Sequence, residues 1–372
     1  MKVLILAVTA GEGHNSISKA IASQLGDRAE VKIYDLFKNE QKFMEFVVND
    51  FYFWSCKNFL KLSNALFRKM RDSEIKDVKH TSMHKMLKKT KPRILKLIND
   101  YQPDMVFCAH TYAAHIMSEF KENGLYNNKV FYVVSDYDLS PCIETCTFVD
   151  YVISPNADFD DILIKKGFKK EQILPIGIPV APKFAVAIDK KEIRARLGVS
   201  QDKFVVFIMN GGVGFGRTEK LIQNLCKANV DFEVICVCGK NKKLKAKIDK
   251  YISKGKYRIK VYNYGFVNNV EELMSASDCY IGKMGGLSIN EALNKGLPLI
   301  SIKKLPWQEY DNMVYLTSKG VCDYIYDDKK AYLVLENLIT TDGLFDERKN
   351  NIKCVYKPNA IFDIVDKMLE VQ

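Results

Sequence analysis

Three times in this chain an apolar run of strand length ends in glycines and gives way to a helical pattern. No other feature restricts the fold as much. Residues 3–8 lead into Thr9-Ala-Gly-Glu-Gly-His14 and a helix over 17–25. Phe204–Met209 leads into Asn210-Gly-Gly-Val-Gly and a helix from Thr218. Cys279–Ile281 leads through Gly285-Gly286 into a helix around Ser288 that stops at Gly296, ahead of Pro298. Further apolar runs at Val31–Leu36, Pro103–Ala109, Lys129–Val134, Asp150–Ser154 and Ile173–Pro179 extend the first series, and Phe232–Cys238, Arg258–Tyr262 and Leu299–Ile302 extend the second. Helical stretches separate them, so the pattern predicts an α/β protein with two doubly wound parallel sheets and ligand sites at the carboxyl ends of the strands. A length of 372 residues suits two cores of this kind. The expected division is 1–185, 186–350 and a terminal segment 351–372 whose apolar helix, Ala360 to Leu369, is free to pack on either domain, including back on the first, with a linker region from Ala181 to Ser200.

The third glycine bend is the richest in chemistry. A strand that feeds a glycine pair at a helix start presents free backbone N–H groups and a positive dipole end, which suit a phosphate. Glu291 follows Ser288 by three residues, and two readings fit that spacing. Either the pair is a capping box that satisfies helix-terminal donors, or Glu291 accepts hydrogen bonds from the sugar hydroxyls of a nucleotide. Lys283 either adds positive charge to that site or is structural.

Charge narrows the partners. The net charge is +11, and the segment from Lys57 to Lys96 holds thirteen Lys or Arg against Asp72, Glu74 and Asp77. That concentration calls for an anionic surface. The segment belongs to an excursion over 39–99 in which aromatics such as Trp54 recur at helical spacing before Arg68, Lys69 and Arg71. It reads either as a packed helical insertion or as an interfacial surface whose apolar side chains enter lipid while Lys and Arg meet headgroups. Nucleic acid ranks lower, because the aromatics cluster with aliphatics instead of standing as stacking platforms. No apolar run approaches the roughly 20 residues of a membrane span, and Met1 leads directly into a strand, so a cytoplasmic protein is expected. Ten cysteines, several inside apolar runs (Cys108, Cys236, Cys238, Cys279), fit reduced thiols acting as small hydrophobes. The five histidines, His14, His80, His84, His110 and His115, form no evident cage with carboxylates, and Cys142-x-x-x-Cys146 lacks a second pair, so neither a metal nor a bound cofactor is expected. His110 either lines a ligand site or caps a helix.

Taken in order, Thr9-Ala-Gly-Glu-Gly-His14, Ser135-Asp136, the Asn210 glycine loop, Gly239-Lys-Asn241, Tyr264-Gly-Phe-Val267, Lys283-Met-Gly-Gly-Leu-Ser288 with Glu291, and Pro306-Trp-Gln-Glu309 resemble the family of monogalactosyldiacylglycerol synthases and processive diacylglycerol glucosyltransferases. A more distant likeness is to the N-acetylglucosaminyltransferase that makes lipid II. The resemblance spans nearly the whole chain. It implies the GT-B fold, with two Rossmann-like domains facing across a cleft, a UDP-sugar donor on the C-terminal domain, a diacylglycerol acceptor on the N-terminal domain, and peripheral attachment to the cytoplasmic face of an anionic membrane.

Carried over by position, the resemblance implies that Gly285, Gly286 and Ser288 contact the diphosphate and Glu291 the ribose. Gln308 and Glu309 would read the donor sugar, Phe266 would hold the uracil through its backbone, and Gly211 and Gly212 would line the phosphate side. Gly13 and His14 would approach the reaction centre, with His14 as base and Asp136 as the second choice or as its orienting partner. The chain departs from the family pattern at Met284, Trp307, Ser140 and Ile143. Two other readings remain: a soluble UDP-N-acetylglucosamine 2-epimerase, and a non-catalytic UDP-sugar sensor.

Overall fold

The computed structural model describes residues 1–8, 13–38, 65, 87–210, 217–303 and 305–372. Trp54, Arg68, Lys69, Arg71, His80, His84, Gly211 and Gly212 lie outside the described residues. The chain forms two compact units, Met1–Pro182 together with Lys357–Gln372, and Lys183–Tyr356. Both are Rossmann-like.

In the first unit, strands β1 (Lys2–Ala7), β2 (Glu30–Asp35), β3 (Met105–Cys108), β4 (Lys129–Val133), β5 (Tyr151–Ile153) and β6 (Ile173–Leu174) form one sheet in the order β2-β1-β3-β4-β5-β6. All neighbours are parallel. Every residue of β3 is buried, and five of the six in β1, as a parallel sheet covered on both faces requires. β2 stands at the edge and is correspondingly more exposed. The run 173–179 is strand only at Ile173 and Leu174, and beyond them the Gly177 amide still donates to the Ser154 carbonyl at 3.0 Å.

The chain reverses direction across this sheet between β1 and β3. Their carboxyl ends lead respectively towards the helix Gly13–Leu25 and into the helix Thr111–Glu122. The first helix starts at Gly13, earlier than the apolar spacing predicts, so Gly13 and His14 are helical residues. The C-terminal helix Ala360–Glu370 belongs to this unit. It buries Ile361, Ile364, Val365 and Met368, one apolar stripe, and packs on the helix Gly13–Leu25.

In the second unit, β7 (Phe204–Met209), β8 (Phe232–Val237), β9 (Val261–Tyr264), β10 (Cys279–Gly282), β11 (Leu299–Ser301) and β12 (Cys322–Tyr324) run parallel in the order β12-β11-β10-β7-β8-β9. The reversal lies between β7 and β10, where Gly282 is in register with Met209. β9 begins later than the run from Arg258 suggests, and β12 has no counterpart in the sequence reading. At the opposite end of the sheet, the Asp278 carboxylate accepts from the Val205 amide at 2.7 Å and the Arg194 guanidinium at 2.6 Å. Buried Arg194 also donates to the carbonyls of Ala276, Gln201 and Lys203. This charge-assisted knot fixes where β7 and β10 begin.

Gly177 marks the place where the terminal segment returns. Its φ is +103°, and a Cβ there would lie 2.6 Å from Lys357 Cβ and 3.0 Å from Ala360 Cβ. Gly177→Ala should therefore lower stability by about 1–3 kcal/mol through backbone strain and overpacking. Thermal unfolding checks this; an unchanged midpoint would contradict the packing described.

Candidate active site

In the second unit, the turn after β10 is held by side chains from three directions. The Asn210 side-chain oxygen accepts from the Lys283 amide at 3.2 Å, and its NH2 donates to Thr218 at 2.9 Å. The hydroxyl of buried Tyr280 lies 2.9 Å from the Met209 carbonyl and 3.1 Å from that of Lys283. The Asn312 amide, fully buried, donates to the Met284 carbonyl at 2.8 Å. Gly282 is required here for space, since a Cβ would lie 2.4 Å from the Met209 carbonyl oxygen.

The helix Gly286–Asn294 begins directly after this turn, with Gly285 in extended geometry (φ −74°, ψ 132°) as its N-cap and no side-chain cap bond. Its first amides thus have no intrahelical acceptor and sit at the positive end of the dipole. The capping-box alternative is ruled out: the helix starts before Ser288, which is its third residue. Glu291 lies one turn further, half-buried, and no described residue donates a hydrogen bond to it. Burial pushes its carboxyl up to about 8, with Glu271 adding to the rise and Lys183 opposing it. A carboxylate left without donors beside uncapped amides is prepared for hydroxyls that arrive with a ligand.

Gln308 and Glu309 open the helix Trp307–Ser318. Gln308 is half-buried, and Glu309 is 9% exposed and ion-paired with Lys283. Trp307 is 2% exposed and belongs to the core. Phe266, 63% exposed, lines a cavity of about 330 Å³ with Gly239, Lys240, Lys242, Lys245 and Gly265 at the carboxyl ends of β8 and β9. Lys240 stands in the Gly239-Lys-Asn241 motif, whereas Lys242 and Lys245 escaped the sequence reading. Lys245 is placed there by Asp249, which holds its ammonium at 2.8 Å and accepts at 2.7 Å from Asn263 on β9.

In the first unit, the carboxyl ends of β1, β3 and β4 bring His14, His110 and the Ser135-Asp136 pair together. His14 Nδ1 lies 2.8 Å from the Ala109 carbonyl oxygen, so Nδ1 carries the proton and Nε2 keeps its lone pair. The His14 carbonyl accepts from the Ser18 hydroxyl at 2.9 Å. His110 is the N-cap of the helix Thr111–Glu122; its Nδ1 accepts from the Tyr112 amide at 3.0 Å. It also packs edge-on against His14 with ring centroids 4.6 Å apart. Burial lowers the His14 imidazole below its ordinary value, while the Asp136 carboxylate and the Ala109 hydrogen bond pull it upward. His110 is held well below that value by burial and by His14. Both rings are therefore neutral at pH 7. Among the described residues no three His, Cys, Asp or Glu are grouped to hold a metal ion.

Residues 12–180 match the family profile of monogalactosyldiacylglycerol (MGDG) synthase, and residues 205–362 match the glycosyltransferase family 28 C-terminal domain. A processive diacylglycerol beta-glucosyltransferase of Bacillus mycoides is 27% identical over 99% of this chain and 93% of its own length. Monogalactosyldiacylglycerol synthase 1 of Arabidopsis thaliana is 29% identical over the whole chain and 71% of its own length. Among solved structures, MurG of Acinetobacter baumannii shares the fold with a TM-score of 0.69, at 13% identity over 99% of both chains. UDP-GlcNAc 2-epimerase from Neisseria meningitidis, bound to UDP-GlcNAc, superposes with a TM-score of 0.60 at 14% identity over the full length of both.

Two pH dependences follow. If a nucleotide's hydroxyls donate to Glu291 they favour its ionised form, and UDP affinity should then strengthen on the order of tenfold between pH 6.5 and 9 and level off above the carboxyl's own value. Calorimetric titration of the wild type against Glu291→Gln checks this: the variant should lose the rise, and an equal rise in both would dissociate Glu291 from the ligand. If His14 acts as a base, its neutral form is the active one, and the acidic limb of turnover should fall below pH 6.5. Asp136→Asn removes an upward pull and should shift that limb further down; a shift to higher pH would contradict the arrangement.

Proposed function

We propose, from the premise that this chain is a glycosyltransferase made of an MGDG synthase domain followed by a family 28 C-terminal domain, that it moves a hexose from a UDP-sugar to diacylglycerol. The observation that carries this reading is the uncapped start of the helix Gly286–Asn294, with the donor-free Glu291 one turn along. Together they suit a nucleoside diphosphate: phosphate on the amides and ribose hydroxyls on the carboxylate. The diacylglycerol-directed names of the Bacillus and Arabidopsis relatives support the acceptor. The UDP-GlcNAc held by the Neisseria protein supports the donor class.

In the proposed reaction, His14 Nε2 takes the proton of the acceptor hydroxyl as that oxygen bonds to the sugar's anomeric carbon. The bond from that carbon to the diphosphate breaks, and UDP leaves with the electron pair. One displacement inverts the anomeric centre. The leaving charge is received by the amides of Gly285, Gly286, Leu287 and Ser288, fixed dipoles that need no reorganisation and no divalent ion. Asp136 steadies the imidazolium that forms, Gln308 and Glu309 read the sugar, and Phe266 with its cavity takes the uracil. Gly211, Gly212 and Gly13 are assigned to the same machinery by position. We assign the basic excursion with Trp54, Arg68, Lys69 and Arg71 to an anionic membrane at its cytoplasmic face. No helix among the described residues is long and apolar enough to cross a membrane.

The test offers UDP-glucose, UDP-galactose and UDP-N-acetylglucosamine with diacylglycerol in anionic vesicles, with and without chelator, read by thin-layer chromatography. A glycolipid should form from a UDP-hexose, unaffected by chelator. His14→Ala should cut turnover on the order of 10²-fold while UDP affinity holds. Consumption of UDP-N-acetylglucosamine without any lipid would favour epimerisation instead. UDP binding without turnover of any donor would favour a sensor.

A further inference from the structure

Lys283 and Glu309 are twenty-six positions apart in the chain and form an ion pair directly against the glycine turn. A Cβ on Gly285 would lie 3.3 Å from Lys283 Nζ and 3.5 Å from Glu309 Oε1. Neither partner is free to wander. The Lys283 main chain is gripped by Asn210 and Tyr280, and the helix that carries Glu309 is fastened to the same turn by Asn312. The two side chains are 22% and 11% exposed. Glu309 Oε1 is taken by the lysine, whereas Oε2 is buried and has no hydrogen-bond partner among the described residues.

A buried carboxylate oxygen without a donor is costly unless a ligand supplies one. A lysine beside a phosphate site invites the assumption that it binds the phosphate. Here the ammonium's hydrogen bond among the described residues goes to Glu309, and drawing it away onto a phosphate would strand an uncompensated charge in a mostly buried place. The geometry points to a different division of labour: Lys283 is a positioning residue for Glu309, and Oε2 of Glu309 receives a hydroxyl of the donor's sugar. The diphosphate is left to the helix amides. The lysine anchors one carboxylate oxygen and so fixes the direction of the other.

This inference rests on the UDP-sugar reading above, and the experiment separates the two. Wild type is titrated first with UDP, then with whichever of UDP-glucose or UDP-galactose it consumes. Failure to bind UDP at that stage defeats the donor reading before any variant is made. Lys283→Met and Lys283→Gln are then compared by the same titrations and by steady-state kinetics. The expected result is UDP affinity within about threefold of wild type, with affinity for the UDP-hexose and kcat/KM reduced about tenfold or more in Lys283→Met. Lys283→Gln, which can still donate to Oε1, should recover part of the loss. A parallel loss of UDP and UDP-hexose affinity in either variant would make Lys283 a phosphate ligand and overturn the proposal. So would unchanged affinity for both ligands.

Discussion

The turn after β10 is the constraint on which the proposed nucleotide site depends. A phosphate site made of main-chain amides works only if the backbone that carries them does not move, because amides have no reach of their own. Asn210, Tyr280 and Asn312 supply that rigidity, each buried and each spending its polar atoms on the turn or its neighbours. Their positions follow from the sheet order. Asn210 follows β7 and Lys283 follows β10, and these two strands are neighbours because the chain reverses between them. The close approach of Met209 to Gly282 is the steric cost of that adjacency, and it explains why a glycine stands at the last position of β10.

The first unit uses its own reversal differently. There the carboxyl ends of β1, β3 and β4 assemble side chains, not amides, and the result is an acid–base cluster of His14, His110 and Asp136. Electrostatics in such a cluster could defeat it, since two adjacent imidazoles cannot both be charged cheaply. The conflict is resolved by giving one ring a structural task. The His110 Nδ1 lone pair serves the Tyr112 amide as a helix cap. Protonating that nitrogen would break the cap.

Much of this was legible in the sequence because strands buried on both faces are continuous apolar runs, and β7 and β8 are unmistakable on that ground. β12 was not legible: it has three residues, and Asp323 in its middle is reconciled to the sheet only by Arg348, at 3.2 Å from the carboxylate. The start of the helix at Gly13 was missed because Gly13, His14 and Asn15 have weak helix propensity, which packing overrides. The glycine bend, Glu291, His14 and Asp136 could be picked out as local motifs. The Lys283–Glu309 pair and the placing of Lys242 and Lys245 beside Phe266 could not, since each joins residues that only the fold brings together.

The tautomers decide what the acid–base cluster can do. Because Ala109 offers only a carbonyl, His14 must place its proton on Nδ1, and the nitrogen left to act is Nε2. His110, with Nδ1 committed to the cap, must carry its proton on Nε2 if neutral, and burial ensures that it is neutral. A cation at 4.6 Å would depress the basicity of His14 further, so the cap spares His14 that loss by keeping its neighbour uncharged. Asp136 acts in the opposite sense and keeps burial from lowering His14 unopposed. A base in the role proposed for His14 would have to be neutral before the reaction and tolerated as a cation during it. The cap secures the first condition and the carboxylate the second.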